Sequence, residues 1–148
     1  MDSEFSERSW QSPDGLKLYF RDYAGNESGK TPVLCLHGLT RNARDFEGLA
    51  PHIAGQGHRV IVPDMRGRGQ SDYAEDSATY AVPNYISDVM ALLDQEKIGK
   101  FVSIGTSMGG LMTMVIAQFA PEKIAGAVIN DIGPVVDAQG IEKIRTYL

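Results

Sequence analysis

The spacing of apolar and polar positions changes several times along the chain, and each change predicts an element. Leu16 to Tyr23 alternates apolar and polar residues after the turn-forming Pro13-Asp14-Gly15, which predicts a half-buried strand. Ala24 to Pro32 is a Gly/Asn/Ser/Pro loop. Val33 to Leu36 is short and wholly apolar, as an interior strand of a parallel sheet requires. After His37-Gly38, Asn42 is positioned to cap a helix, and Phe46, Leu49, Ala50, Ile53 and Ala54 follow helical spacing. Pro51 falls inside that pattern and predicts a break or kink.

Arg59 to Val62 predicts the next strand, ended by Pro63-Asp64, and a polar, Gly-rich loop follows to about Thr79. Val82, Ile86, Val89, Met90 and Leu93 form one face of a second helix, with Pro83 in its first turn. Lys100 to Ile104 is another strand. Leu111, Met114, Val115 and Gln118-Phe119 belong to a third helix that is apolar on most sides and so buried, and Pro121 ends it. Ile124 to Ile129 is the last strand, and a further helix begins near Gly140. From Val33 onward, strand and helix alternate. The expected class is therefore α/β, a mostly parallel sheet with helices on both faces.

Composition narrows the partners. With 148 residues, 43% hydrophobic and 22% charged, the chain is long and apolar enough for a real core and is not disordered. A net charge of −5 argues against nucleic acid or an anionic membrane as the partner. The opening Met1-Asp2-Ser3-Glu4 lacks the apolar core of a signal peptide, and no run approaches the ~18 apolar residues of a membrane span. The lone Cys35 sits in the apolar run Val33-Leu34-Cys35-Leu36 and is read as a small core residue. The expected location is the cytoplasm.

The chemistry concentrates at Gly105-Thr106-Ser107-Met108-Gly109. This is a G-x-S-x-G pattern with an apolar strand running into it and a helix leaving it. So tight a turn forces the serine into strained dihedrals, and flanking glycines give the backbone room. The hydroxyl is then lifted to the carboxyl end of the sheet, where open α/β folds bind ligands. A serine attacking a carbonyl needs donors for the resulting oxyanion. The backbone N–H of Met108 supplies one, and the N–H of Leu39, in the loop His37-Gly38-Leu39, supplies the other. His37 is read as hydrogen bonded within that loop, with service as a base the alternative. Other glycine-rich sites fit poorly. No lysine follows Gly110 as a phosphate loop demands, and Gly67-Arg68-Gly69 is followed by Gln70-Ser71-Asp72, which breaks a dinucleotide pattern. The histidines lack H-x-x-x-H spacing, so no metal or cofactor is expected.

Taken together, His37-Gly38-Leu39, the stretch Asp64 to Asp72 and the Ser107 elbow resemble the α/β-hydrolase superfamily, on its esterase- and lactonase-like serine branch, from about Asp14 to Pro134. Asp64-x-Arg66-Gly67-x-Gly69-x-Ser71 is similar to a loop of esterases, lactonases and C–C bond hydrolases. The resemblance implies that Asp64 and Arg66 hold that loop and support the elbow. It implies a small-molecule acyl substrate such as an ester or lactone. It also argues against haloalkane dehalogenase and epoxide hydrolase activity, which in this fold use an aspartate nucleophile.

The resemblance also implies a catalytic acid and histidine after the serine. The three histidines, His37, His52 and His58, all precede Ser107. Asp131 stands where a minority of the superfamily places the acid, and Asp137 is more remote. Ending at Leu148 would leave the strand Ile124 to Ile129 with an unpaired apolar edge. The expectation is a fragment: residues 1–134 as the N-terminal part of the core, 135–148 as the start of a cap, and a missing C-terminal half or complementary chain supplying base and acid. Alone, such a fragment is expected to be inactive. The competing expectation is a non-catalytic ligand-binding or receptor protein on the same fold.

Overall fold

A computed structural model describes residues 4–26 and 29–130. Six strands form one sheet: β1 (Ser6–Gln11), β2 (Lys17–Tyr23), β3 (Val33–Leu36), β4 (Val60–Pro63), β5 (Phe101–Thr106) and β6 (Ile124–Asn130). Their spatial order is β1-β2-β4-β3-β5-β6. β4, β3, β5 and β6 are parallel, while β1 and β2 add an antiparallel margin. The α/β class and the alternation from Val33 onward stand.

Strand alternation splits the core into two layers. Leu34, Leu36 and Ile61 face one side, with Phe20, and pack on α2 (Val82–Gln95) and α3 (Met108–Phe119). Val33, Cys35, Val60 and Val62 face the other and meet α1 (Leu49–Ala54) and the preceding 3-10 turn Ala43–Phe46. Inward-facing residues on both sides explain why β3 and β4 are apolar throughout. Among the described residues no helix is long and apolar enough to cross a membrane.

One strand was not expected, and one local expectation needs correction. β1 carries no apolar rhythm because only Trp10 of its six residues is buried. It is an edge strand held by that indole, whose Nε1 donates to the Asp88 carbonyl at 2.8 Å. The helix after Asn42 does break, but not at Pro51. Asn42 caps only the 3-10 turn, accepting from the Arg44 N–H at 2.9 Å, and the chain restarts at Gly48. Pro51 then falls in the first turn of α1, where an N–H has no helical partner to lose. The expected acid Asp131 and the expected cap at 135–148 lie outside the described residues.

Candidate active site

The carboxyl ends of β3, β4 and β5 converge, and the loops leaving them build the site. β5 passes into α3 through Ser107 alone, whose φ of +54° and ψ of −114° are denied to ordinary L-residues. Sterics enforce this bend. A Cβ on Gly105 would lie 2.3 Å from the Gly109 carbonyl oxygen, and one on Gly109 would lie 2.1 Å from that of Leu36. Strand β3, strand β5 and the start of α3 therefore touch backbone to backbone, which only glycine permits. The Ser107 N–H donates to Asn130 at 3.0 Å and its carbonyl accepts from Leu111 at 3.1 Å. The serine is exposed on the sheet's rim.

A buried hydroxyl pair stiffens the elbow from beneath. Thr113 Oγ1 donates to the Gly109 carbonyl at 2.8 Å. Its single proton is thereby used, so the Ser103 hydroxyl, 2.8 Å away, must donate to it. Ser103 and Thr113 read in the sequence only as polar interruptions of apolar elements.

Gly38 lies against the serine: a Cβ there would sit 3.5 Å from Ser107 Cβ. His37 is fully buried, and both its nitrogens are committed. Nε2 accepts the Met65 N–H at 3.0 Å, so Nδ1 carries the proton and donates to the Gly38 carbonyl at 2.7 Å. Burial pushes its pKa down, and the imidazole is neutral at pH 7. Because a trans peptide sets N–H and C=O on opposite sides, tying Gly38 O to His37 turns the Leu39 N–H away from His37. Leu39 is 52% exposed. The Met108 N–H opens α3, where the first N–H groups have no helical acceptor. Among the described residues neither N–H finds an acceptor.

The other two histidines are elsewhere. His58 Nδ1 donates to the Thr31 carbonyl at 2.7 Å, before β3 and β4 begin and thus at the opposite end of the strands. His52 is exposed in α1 beside Gln56. Asp64 and Arg66 do hold their loop: Asp64 ties it to Ala43, while Arg66 ties it to Asp14 and to Asp88 of α2. The Asp64 carboxylate accepts from the N–H groups of Ala43 at 2.7 Å and Gln70 at 2.9 Å. Arg66, 1% exposed, forks onto Asp88 at 2.7–2.8 Å and onto Asp14 at 2.9–3.0 Å. These carboxylates hold its guanidinium protonated, its pKa pushed up chiefly by the Asp88 hydrogen bond. Burial pushes the Cys35 thiol up to about 12, which leaves it inert. Among the described residues no three His, Cys, Asp or Glu side chains gather as metal ligands would.

A family profile described as alpha/beta hydrolase fold matches residues 31–144. A 3-hydroxybutyrate-oligomer hydrolase of Cupriavidus necator is 36% identical over 137 residues, covering 93% of this chain and 46% of its own. The crystal structure of an alpha/beta hydrolase from Novosphingobium aromaticivorans superposes with a TM-score of 0.86 at 56% identity, covering 97% of this chain and 50% of that one. Epoxide hydrolase A from Mycobacterium thermoresistibile gives 0.81 at 29% identity, over 97% of this chain and 44% of its own. The chain thus spans about half the length of the relatives it matches.

Proposed function

The chain belongs to the alpha/beta hydrolase fold family, and from that premise we propose that it forms the nucleophile half of a serine hydrolase cleaving carboxylic esters. The observation that carries this reading is the left-handed Ser107, wedged between Gly105 and Gly109 and exposed beside Gly38. Strain of this kind costs on the order of 1–3 kcal/mol and persists only where the surroundings impose it. A structural turn has no need of a serine there.

In the proposed reaction, Ser107 Oγ adds to the ester carbonyl while a base takes its proton. The N–H groups of Leu39 and Met108 receive the charge on the carbonyl oxygen. The alcohol leaves with that proton, and water then cleaves the acyl-serine. His37 is excluded as the base because both of its nitrogens are engaged. Base and acid come instead from beyond the described residues or from a complementary polypeptide, with Asp131 the candidate acid within this sequence. The similarity to the 3-hydroxybutyrate-oligomer hydrolase makes short hydroxyalkanoate esters the first substrates to try. The epoxide hydrolase likeness carries less weight, since this superfamily opens epoxides with an aspartate and position 107 is serine.

The test is covalent labelling of the purified protein with a fluorophosphonate probe, alone and with a complementing C-terminal polypeptide, beside hydrolysis of p-nitrophenyl butyrate and a 3-hydroxybutyrate dimer. Modification confined to Ser107 and absent from S107A is expected. Failure to label in either form rejects the reading. The commitment of His37 also favours a second reading, a ligand-binding protein on the same scaffold, for which small esters would raise the melting temperature without turnover.

A further inference from the structure

The stretch from Asp64 to Asp72 contains a second arginine that the site chemistry above leaves unused. Arg68 Nε donates to the Leu39 carbonyl at 2.8 Å. Its Nη1 donates to the Arg66 carbonyl at 2.8 Å and to the Tyr85 hydroxyl at 3.0 Å. The guanidinium also lies over the rings of Tyr85 and Tyr80, at 5.1 and 5.8 Å from their centroids. We propose that Arg68 is a positioning residue that clamps the Leu39 turn and so aims the Leu39 N–H at the substrate oxyanion. This rests on the hydrolase reading above.

The argument concerns the two peptides flanking Leu39. The Gly38 carbonyl accepts from His37 Nδ1 at 2.7 Å and from the Arg41 N–H at 3.1 Å, which anchors one edge of the plane carrying the Leu39 N–H and leaves that plane able to rock about the oxygen. Among the described residues the Leu39 carbonyl is held only by Arg68, which fixes the next plane. With both planes tied, the φ and ψ of Leu39 have no freedom left to swing the N–H aside. Without Arg68 the second plane is loose, and an exposed leucine at the tip of a turn has little else to hold it. The acceptors of Arg68 are two carbonyls and a phenol, none of them charged.

The anchor of Arg68 is rigid in its turn. Tyr85 is buried on α2, and the Arg66 backbone is pinned by a guanidinium forked onto Asp88 of the same helix. A helix on one face of the sheet is thus linked through two arginines to the donor opposite Ser107. Lysine would be a poor substitute, because it has neither the fork that spans two carbonyls nor a planar face for the tyrosines.

The experiment compares wild type, R68M, R68K and a control, R44M, whose side chain is 75% exposed. Backbone amide relaxation of the full chain reads the clamp directly. In R68M the order parameter of the Leu39 amide should fall from about 0.85 to below about 0.6, with Met108 unchanged. In the ester assay of the complemented form, kcat should fall about 10-fold or more with KM within about twofold, and R68K should recover part of the loss. R44M should match wild type in both. An ordered Leu39 amide in R68M overturns the proposal, and so does a disordered one with unchanged kcat. If wild type shows no esterase activity while Leu39 still loosens in R68M, the hydrolase reading fails and the clamp stands.

Discussion

At the amino end of the parallel strands, Arg59 and Arg8 share two carboxylates: both bond Asp22, at 2.9–3.0 Å, and Glu96, at 2.7 Å. At the carboxyl end, Arg66 is shared by Asp14 and Asp88. The two networks are alike in chemistry, and they differ in how deeply the arginines sit, though Asp14 is more exposed than Asp22 or Glu96. Arg8 is 41% and Arg59 31% exposed, whereas Arg66 and Asp88 are each 1% exposed. Backbone strain is unequal as well. The amino end has Lys97 at φ +58°, which closes α2 through the bond from Ile98 N–H to the Leu93 carbonyl and serves as an ordinary helix stop. The carboxyl end has Ser107, which closes nothing. The difference teaches that the carboxyl end holds its groups at the greater cost in strain and in burial of charge, which is what the proposed reaction would ask of it.

The sharpest way to break this comparison is Ser107→Gly. On the serine-hydrolase reading it should lower ester turnover of the complemented form by at least about 10⁴-fold, because the nucleophile is gone. It should also raise stability by about 1 kcal/mol in urea unfolding, the relieved strain exceeding the added freedom of the unfolded chain. A glycine variant less stable than wild type would mean that no strain is stored there. Next in size is Asp88→Ala, which leaves Arg66 buried beside Asp14 alone and should cost about 3–5 kcal/mol. The double variant R66M/D88L, which removes both charges, should recover most of that loss. If the single variant costs under about 1 kcal/mol, the carboxyl-end network is no tighter than the other.

Asp14 supplies the pH dependence. Hydrogen bonds from Arg66 and then Ser12 lower its carboxyl from the ordinary 3.8 to about 2. A carboxyl lowered in the fold stabilises above its unfolded value, and that contribution is lost as pH falls from about 4 to about 2. Asp14 is 46% exposed, so solvent screening holds the effect to about 1 kcal/mol or less. The stability gap between wild type and D14N, read by thermal unfolding, should be full at pH 6 and mostly gone at pH 2. A gap undiminished at pH 2 would assign the effect to packing.

How much of this was legible in the sequence follows from how local each signal is. The wholly apolar runs of β3 and β4 and the G-x-S-x-G turn are set by neighbours in the chain, and both appear where expected. The edge strand β1 was not legible, because its pairing with β2 and its single buried Trp10 are tertiary facts. The Pro51 break was misplaced because a proline in a first turn and one in mid-helix look alike until the start at Leu49 is known. At the site, Ser107 and Gly38 were readable. The closure of His37 against Met65, the Ser103–Thr113 pair and the grip of Arg68 on Leu39 were not, since each joins segments that only the sheet brings together.

The smallest expected effect belongs to the amino end. Arg8→Ala removes bonds to Asp22 and Glu96, yet Arg59 still bonds both carboxylates at 2.7–3.0 Å, so neither is left bare. The side chain also lies over the Phe20 ring at 5.2 Å, an exposed stacking contact on the order of 0.5 kcal/mol. The total should stay under about 1 kcal/mol. Its electrostatic part should vanish in about 1 M salt, where the screening length falls to roughly 3 Å. Urea unfolding of R8A and wild type at low and high salt separates the two parts. The Asp88→Ala loss should be nearly indifferent to salt, because no ions enter a site that is 1% exposed. If R8A lost as much as D88A, or if both losses shrank equally with salt, burial would not be what distinguishes the two ends of the sheet.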